Sequence, residues 1–222
     1  MAKLVVVPTP LGNLKDITLR SLEVLKEVNL ILAEDTRQAS KLLRHYGIQT
    51  PCVSHHKFNE HKKVSEICEE IKGGRNIALI SDAGTPGISD PGFLLVRKCI
   101  ENDITVEVLP GPVAFVPALV GSGIPCDRFC FEGFLPNKKG RLKKLEALKD
   151  EKRTMIFYES PFRLVKALDE MANIFGQERR ACVAREISKI HEEYKRDTLK
   201  ELSDYYTEHP PKGEIVIVVE GK

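Results

Sequence analysis

The chain has no tryptophan and few other aromatics, with five tyrosines and nine phenylalanines among its 222 residues. A platform of rings on which single-stranded bases stack is therefore not what its composition offers. It also lacks an excess of charge: 34 basic against 32 acidic side chains leave a formal net charge of +2. Any affinity for nucleic acid must come from a local patch rather than a global field. Six cysteines (Cys52, Cys68, Cys99, Cys126, Cys130, Cys182) are scattered without the paired Cys/His spacing of a zinc site. They are expected to be reduced and mostly buried, behaving as small apolar residues. His55 and His56 have no companions at ligand spacing, so no metal is expected. Long apolar runs are missing as well. Those near Leu4 and Ile215 fall far short of the roughly 20 residues a membrane span needs. Met1-Ala2-Lys3 is too brief a lead-in for a secretory signal, so a cytoplasmic protein without membrane association is expected.

Three motif absences narrow the chemistry. There is no Gly-x-x-x-x-Gly-Lys-Ser/Thr loop for nucleotide phosphates and no Gly-x-Gly-x-x-Gly opening a helix after the first strand. Nor is there a Gly-x-Ser-x-Gly elbow for acyl transfer. ATP hydrolysis, dinucleotide redox chemistry and serine hydrolysis lose their support.

What is present is an alternation of short Val/Ile-rich runs with patterns of period near 3.6, which predicts an α/β fold with a mostly parallel sheet and crossover helices. Leu4 to Val7, Leu30 to Ala33, Ile77 to Ile80 and Thr105 to Leu109 read as strands of a first half. Helices are expected from an N-cap at Asp16, over Thr36 to Tyr46, Val64 to Lys72 and Phe93 to Ile100. Phe129 to Phe134, Thr154 to Tyr158, Ala181 to Ala184 and Ile215 to Val219 are strands of a second half, with helices at Arg141 to Leu148 and Phe162 to Phe175. Gly and Pro cluster over Gly111 to Gly123, and domains of 1–115 and 116–222 are expected.

Three Gly/Pro-rich loops, Pro8 to Gly12, Ser81 to Gly92 and Pro110 to Pro112, each follow a predicted strand of the first half. Ligands of open parallel sheets bind outside the carboxyl ends of the strands, so these loops should converge on one crevice. One such loop is often no more than a turn; three at corresponding strand ends point to a site.

The residues also resemble a known family. Val6 to Leu14 with Asp16 and Ile17, Ala33-Glu34-Asp35-Thr36-Arg37, and Ser81 to Gly92 are similar to the ribosomal RNA small-subunit 2'-O-methyltransferase I family. The likeness continues through Pro110-Gly111-Pro112, Ser122 to Pro125, Gly133 to Pro136, Glu159-Ser160-Pro161, Arg185 to Lys189 and Gly213-Glu214. It implies a two-domain fold of the tetrapyrrole-methylase type, a homodimer, and S-adenosyl-L-methionine folded between the halves. By motif, the cofactor contacts implied are Pro8, Gly84, Thr85, Ile88, Val113, Ala114, Phe157, Tyr158, Ala184, Gly213 and Glu214, with Ser81 and Asp82 shaping the loop. The reaction implied is 2'-O-methylation of a cytidine ribose in small-subunit (16S-type) ribosomal RNA, within the assembled 30S-type subunit, with no role for DNA. A tetrapyrrole of the precorrin type is the alternative acceptor, and a non-catalytic RNA-binding assembly factor is the alternative outside enzymes.

Methyl transfer to a ribose hydroxyl needs alignment and benefits from a base. Asp35 or Glu60 is the candidate base, and Arg37 the candidate for gripping a phosphate through both arms of its guanidinium. Equally, Glu34, Asp35 and Arg37 can form a charge network at a helix start. Lys138, Lys139, Arg141, Lys143 and Lys144, five basic residues within seven, form a candidate RNA patch that Arg163 and Lys166 would extend. A solvated helix face is the plainer alternative. The sequence departs from the family at His55, Lys57, Phe58, Val113 and Phe162. Many members also continue past the position of Gly221, so RNA affinity here is expected to rest on the dimer or the basic loop.

Overall fold

The computed structural model describes residues 1–56 and 60–222, without the side chains of 60–62. The chain divides into two compact units, Met1–Val113 and Ala114–Lys222.

The first unit alternates strand and helix: β1 (Lys3–Val6), α1 (Leu19–Glu27), β2 (Leu30–Ala33), α2 (Thr36–His45), β3 (Cys52–Ser54), α3 (Glu60–Lys72), β4 (Ile77–Ile80), α4 (Phe93–Glu101) and β5 (Thr105–Val108). Its five strands are all parallel in the order β3-β2-β4-β1-β5. Both faces are covered, which is why β2 and β4 are apolar at every position. Leu30, Leu32, Ile77 and Leu79 pack with Val64 and Ile71 of α3 and Leu95 of α4. Ile31, Ala33, Ala78 and Ile80 pack on the opposite face with Leu25 of α1 and Leu43 of α2. The cap of α1 differs from the expected Asp16: a 3₁₀ turn occupies Leu14–Asp16, and Thr18 accepts the Ser21 amide at 3.0 Å.

The second unit contains α5 (Phe115–Ser122), β6 (Phe129–Phe134), α6 (Arg141–Ala147), β7 (Thr154–Glu159), α7 (Leu164–Phe175), β8 (Arg180–Arg185), β9 (Glu193–Thr198), α8 (Leu199–Glu208) and β10 (Ile215–Val219). Its sheet runs β6-β7-β10-β8-β9, with β6 and β7 parallel and the remaining pairs antiparallel. One face carries the main core, in which Met155, Phe157 and Ile217 meet Leu164, Leu168 and Met171 of α7 and Leu202 and Tyr206 of α8. On β7 the alternate residue Tyr158 meets Phe131 and Phe134 edge-on, and Phe131 stacks on Phe115 of α5 at 4.8 Å. α5 thus fills the Gly/Pro-rich stretch read from sequence as a boundary. No helix among the described residues is long and apolar enough to cross a membrane.

Candidate functional site

β1 and β4 are neighbours, yet the helices that follow them leave on opposite faces, α1 with the Val5/Ile31 layer and α4 with the Leu4/Ile77 layer. That divergence opens a crevice at the carboxyl ends of the two strands. The loops after β1 and β4 meet across it. Thr9 N donates to Gly84 O at 2.9 Å and Gly84 N donates back to Thr9 O at 3.0 Å. The buried Thr9 hydroxyl donates to Ser81 O (3.1 Å), and the Ser81 hydroxyl donates to Gly84 O (3.1 Å). The loop after β5 joins them through Thr85, whose hydroxyl donates to Pro112 O at 2.8 Å.

The approach is close enough to exclude side chains at two points. A Cβ on Gly111 would lie 2.6 Å from Pro8 Cβ and 2.9 Å from its Cγ, in a ring that cannot swing aside. Gly84 adopts φ +81°, and a Cβ there would lie 3.2 Å from Leu11 Cδ2 and 3.6 Å from Pro112 O. Pro8, Gly84, Thr85 and Val113 are therefore brought together on three loops, the second hydrogen-bonded to both of the others and the first packed on the third at Pro8 and Gly111. Ile88 stands partly exposed further along the second loop. Beside the first loop a cavity of about 180 Å³ lies against α2, with Thr9, Ser81 and Asp82 on one side and Gln38, Ala39 and Leu42 on the other.

Acidic groups gather at the ends of β2 and β4. Asp35 caps α2, accepting the Arg37 amide at 2.8 Å, and its carboxylate is gripped by Arg37 through Nε (3.0 Å) and Nη2 (2.6 Å). These bonds hold the Asp35 carboxyl down at about 2. The Nε/Nη2 side of the Arg37 fork is thus occupied, and a phosphate bound beside the pair would meet its outer Nη1/Nη2 edge. Asp82 accepts the Asp35 amide at 3.1 Å. Partial desolvation pushes Asp82 above the usual aspartate range, and burial followed by the nearby Asp82 charge does the same for Glu34. Glu34 and Asp82 escaped the sequence reading as titrating groups; the adjacency of β2 and β4 in a sheet order different from chain order is what joins them. The Glu60 side chain lies outside the described residues.

In the second unit, Phe157 and Ala184 are fully buried. The Phe157 side chain belongs to the main core, so only its backbone can face a ligand. Tyr158 is half-buried among aromatic rings. Gly213 and Glu214 are tied to the loop after β8: the Glu214 amide donates to Glu186 Oε1 at 2.9 Å, and Lys189 bridges Glu186 (2.8 Å) and Glu214 (3.0 Å). The basic segment is not one continuous patch. Lys138, Lys139 and Lys143 are exposed, whereas Arg141 is 3% exposed and bound to Glu159 and Glu170, which removes it from the surface expected for it. Lys144 and Arg163 are paired with Glu132 and Glu159.

Residues 3–203 match the family model of the tetrapyrrole (corrin/porphyrin) methylases. A protein of Haemophilus influenzae named ribosomal RNA small subunit methyltransferase I is 52% identical over 99% of this chain and 78% of its own length. One of the same name from Thermotoga maritima is 45% identical over the whole of both chains. Among solved structures, uroporphyrin-III C-methyltransferase from Thermus thermophilus, complexed with S-adenosylhomocysteine, is similar over 100% of this chain and 98% of its own, with a TM-score of 0.67 at 17% identity. The doubly covered parallel sheet, the joined loops at its edge and these likenesses agree: the chain belongs to the tetrapyrrole (corrin/porphyrin) methylases, in the branch whose curated relatives are named ribosomal RNA small subunit methyltransferase I.

Proposed function

We propose that this protein transfers a methyl group from S-adenosylmethionine to the 2'-hydroxyl of a cytidine in small-subunit ribosomal RNA, acting in the cytoplasm on the assembled 30S-type subunit. The observation that carries the acceptor is near-full-length identity of 45–52% to relatives named for that RNA. The loops fit the cofactor. Gly84 and Gly111 let the loops pack closely on Leu11 and Pro8, which gathers main-chain amides and carbonyls at this edge, groups that suit a nucleoside. Pro8, Gly84, Thr85, Ile88, Val113 and Ala114 would hold it from the first loops, with Tyr158, Gly213, Glu214 and the backbone of Phe157 and Ala184 as further contacts.

S-adenosylmethionine supplies a sulfonium-bound methyl, and its transfer is an in-line displacement that depends on alignment. The chain's own task is to hold the hydroxyl and receive its proton. Asp35, held at about 2 and committed to Arg37, is a poor acceptor. Glu34 and Asp82, both shifted upward, hold a proton more firmly and are the better bases at this edge. Within the basic segment, Lys138, Lys139 and Lys143 are the exposed side chains available to RNA phosphates. Homodimer formation is supported by α5, whose Val116 and Val120, one turn apart, remain exposed at 42% and 69%.

Mass-spectrometric mapping of ribose methylation in small-subunit RNA from cells with and without the gene tests the proposal. One 2'-O-methylcytidine should vanish without the gene and return on incubating the isolated subunits with protein and S-adenosylmethionine. An unchanged map would refute it.

A further inference from the structure

The basic residues around α6 sort into two alternating sets. Arg141 and Lys144 turn toward the unit and are fastened to it, as is the exposed Asn137 just before them. Arg163 hydrogen-bonds Asn137 and pairs with Glu159 (2.8 Å). Arg141 Nη1 meets Glu159 Oε2 at 3.2 Å while its Nε binds Glu170. Lys144 Nζ donates to Glu132 O at 2.8 Å and pairs with its carboxylate at 3.3 Å. Lys138, Lys139 and Lys143 lie between these fastenings, exposed and with no ion pair among the described residues.

The middle fastening is unusual in its burial. The side chains of Arg141 and Glu159 are 4% and 1% exposed, and Arg141 Nη2 is buried without a hydrogen-bond partner among the described residues. Enclosing such charges carries a desolvation cost that their attraction at best repays, and apolar residues of similar size commonly pack such a site equally well. Apolar residues cannot fix position in the way a planar guanidinium held by two carboxylates does. Arg141 is the first residue of α6, and its amide reaches back to Lys138 O at 3.4 Å across the left-handed Gly140. Wherever Arg141 is held, the turn bearing the exposed lysines is held too.

We propose that Arg141, Glu159 and Glu170 are positioning residues for RNA. They present Lys138, Lys139 and Lys143 as a preformed phosphate-binding row, and Arg141 itself contacts no phosphate. Preorganisation of this kind raises affinity by removing the ordering cost at binding. The inference rests on the RNA reading above.

The test uses unmethylated small subunits from cells lacking the gene, titrated with the full-length protein over a range of salt. Glu159→Gln removes a negative charge. If the surface worked by charge alone, this variant would bind RNA as well as or better than the parent. Positioning predicts the reverse: affinity falls roughly tenfold, and the slope of log K against log salt flattens by about 2, since each lost phosphate contact accounts for roughly 0.7–0.9. KM for the subunit rises while kcat and S-adenosylmethionine affinity by calorimetry stay at parent values. Lys139→Ala alone flattens the slope by no more than about 1. Parental or tighter RNA binding by folded Glu159→Gln overturns the inference. Should that variant not fold, Glu170→Gln, which leaves the Glu159 pair with Arg163 and its bond to the Ser160 amide intact, is expected to keep the parent's melting temperature within a few degrees and still lose RNA affinity. Retained affinity there overturns it equally. A parent protein with no salt-dependent affinity for the subunits defeats the RNA reading itself, a different result from either variant's.

Discussion

In the first unit the loops after β1, β4 and β5 are joined by backbone amides and buried hydroxyls, with glycine at the points of closest approach. In the second, the segment before α6 and the loop after β8 are held by ion pairs, Arg141 with Glu159 and Glu170, and Lys189 with Glu186 and Glu214. The difference follows from topology. An all-parallel sheet covered on both faces sends every β-to-α loop to one edge, where main chain meets main chain. The mostly antiparallel sheet of the second unit sends loops to both ends, and distant segments there are joined by long charged side chains instead. Added Cβ atoms should therefore damage the first arrangement, and altered charges the second.

The largest effect separates core from site within the second unit. Phe157→Ala should lower stability by about 3–5 kcal/mol, the usual cost of emptying a fully buried phenylalanine, measured by urea unfolding. If its ring instead served the cofactor, stability would hold and only S-adenosylmethionine affinity would drop. In the first unit Gly111→Ala drives a Cβ into the Pro8 ring and should cost about 1–3 kcal/mol, the range for overpacking. Because Pro8 moves with it, calorimetric affinity for S-adenosylmethionine should fall, and to the same extent at low and high salt. A salt-dependent loss would mean that charge, not backbone fit, holds this loop.

Much of the fold was legible. The strands at Leu30–Ala33, Ile77–Ile80, Phe129–Phe134 and Ile215–Val219 have the bounds that their apolar runs predict. β9 was not legible, because Glu193–Thr198 is an edge strand with no buried position and so no apolar alternation. The three residues of β3 are equally uninformative. α8 does carry a local signal: Thr198 and Glu201 have the spacing of a capping box, and Thr198 accepts the Glu201 amide at 3.2 Å. At the site, glycine and proline announced the joined loops because their chemistry is local. The Arg141 cluster was invisible, since its carboxylates lie 18 and 29 residues away and only the packing of α6 and α7 beside β7 unites them. A run of like charges reads as a surface, and nothing in it marks the member that turns inward.

The smallest effect concerns a place at the site where the first unit also relies on charge. Asp35, Glu34 and Asp82 share the ends of β2 and β4 but should titrate apart. Asp35 has its carboxyl lowered from 3.8 to about 2 by Arg37. The fold therefore favours its ionised form, a contribution complete above roughly pH 4 and lost as pH falls towards 2. Glu34 and Asp82 are shifted upward, so the fold favours their protonated forms; that contribution is present below their ordinary values and disappears as pH rises through the raised ones. Carbon-13 NMR of the side-chain carboxyls should show Asp35 titrating first from the acid side and the other two above 4.5 and 3.8 respectively. Asp82→Asn keeps an acceptor for the Asp35 amide while removing the charge that raises Glu34 after burial, so the Glu34 midpoint should move down in that variant. An unmoved midpoint would mean that the Asp82 charge has no part in setting Glu34, and that the two carboxyls do not act as one acceptor site at this edge.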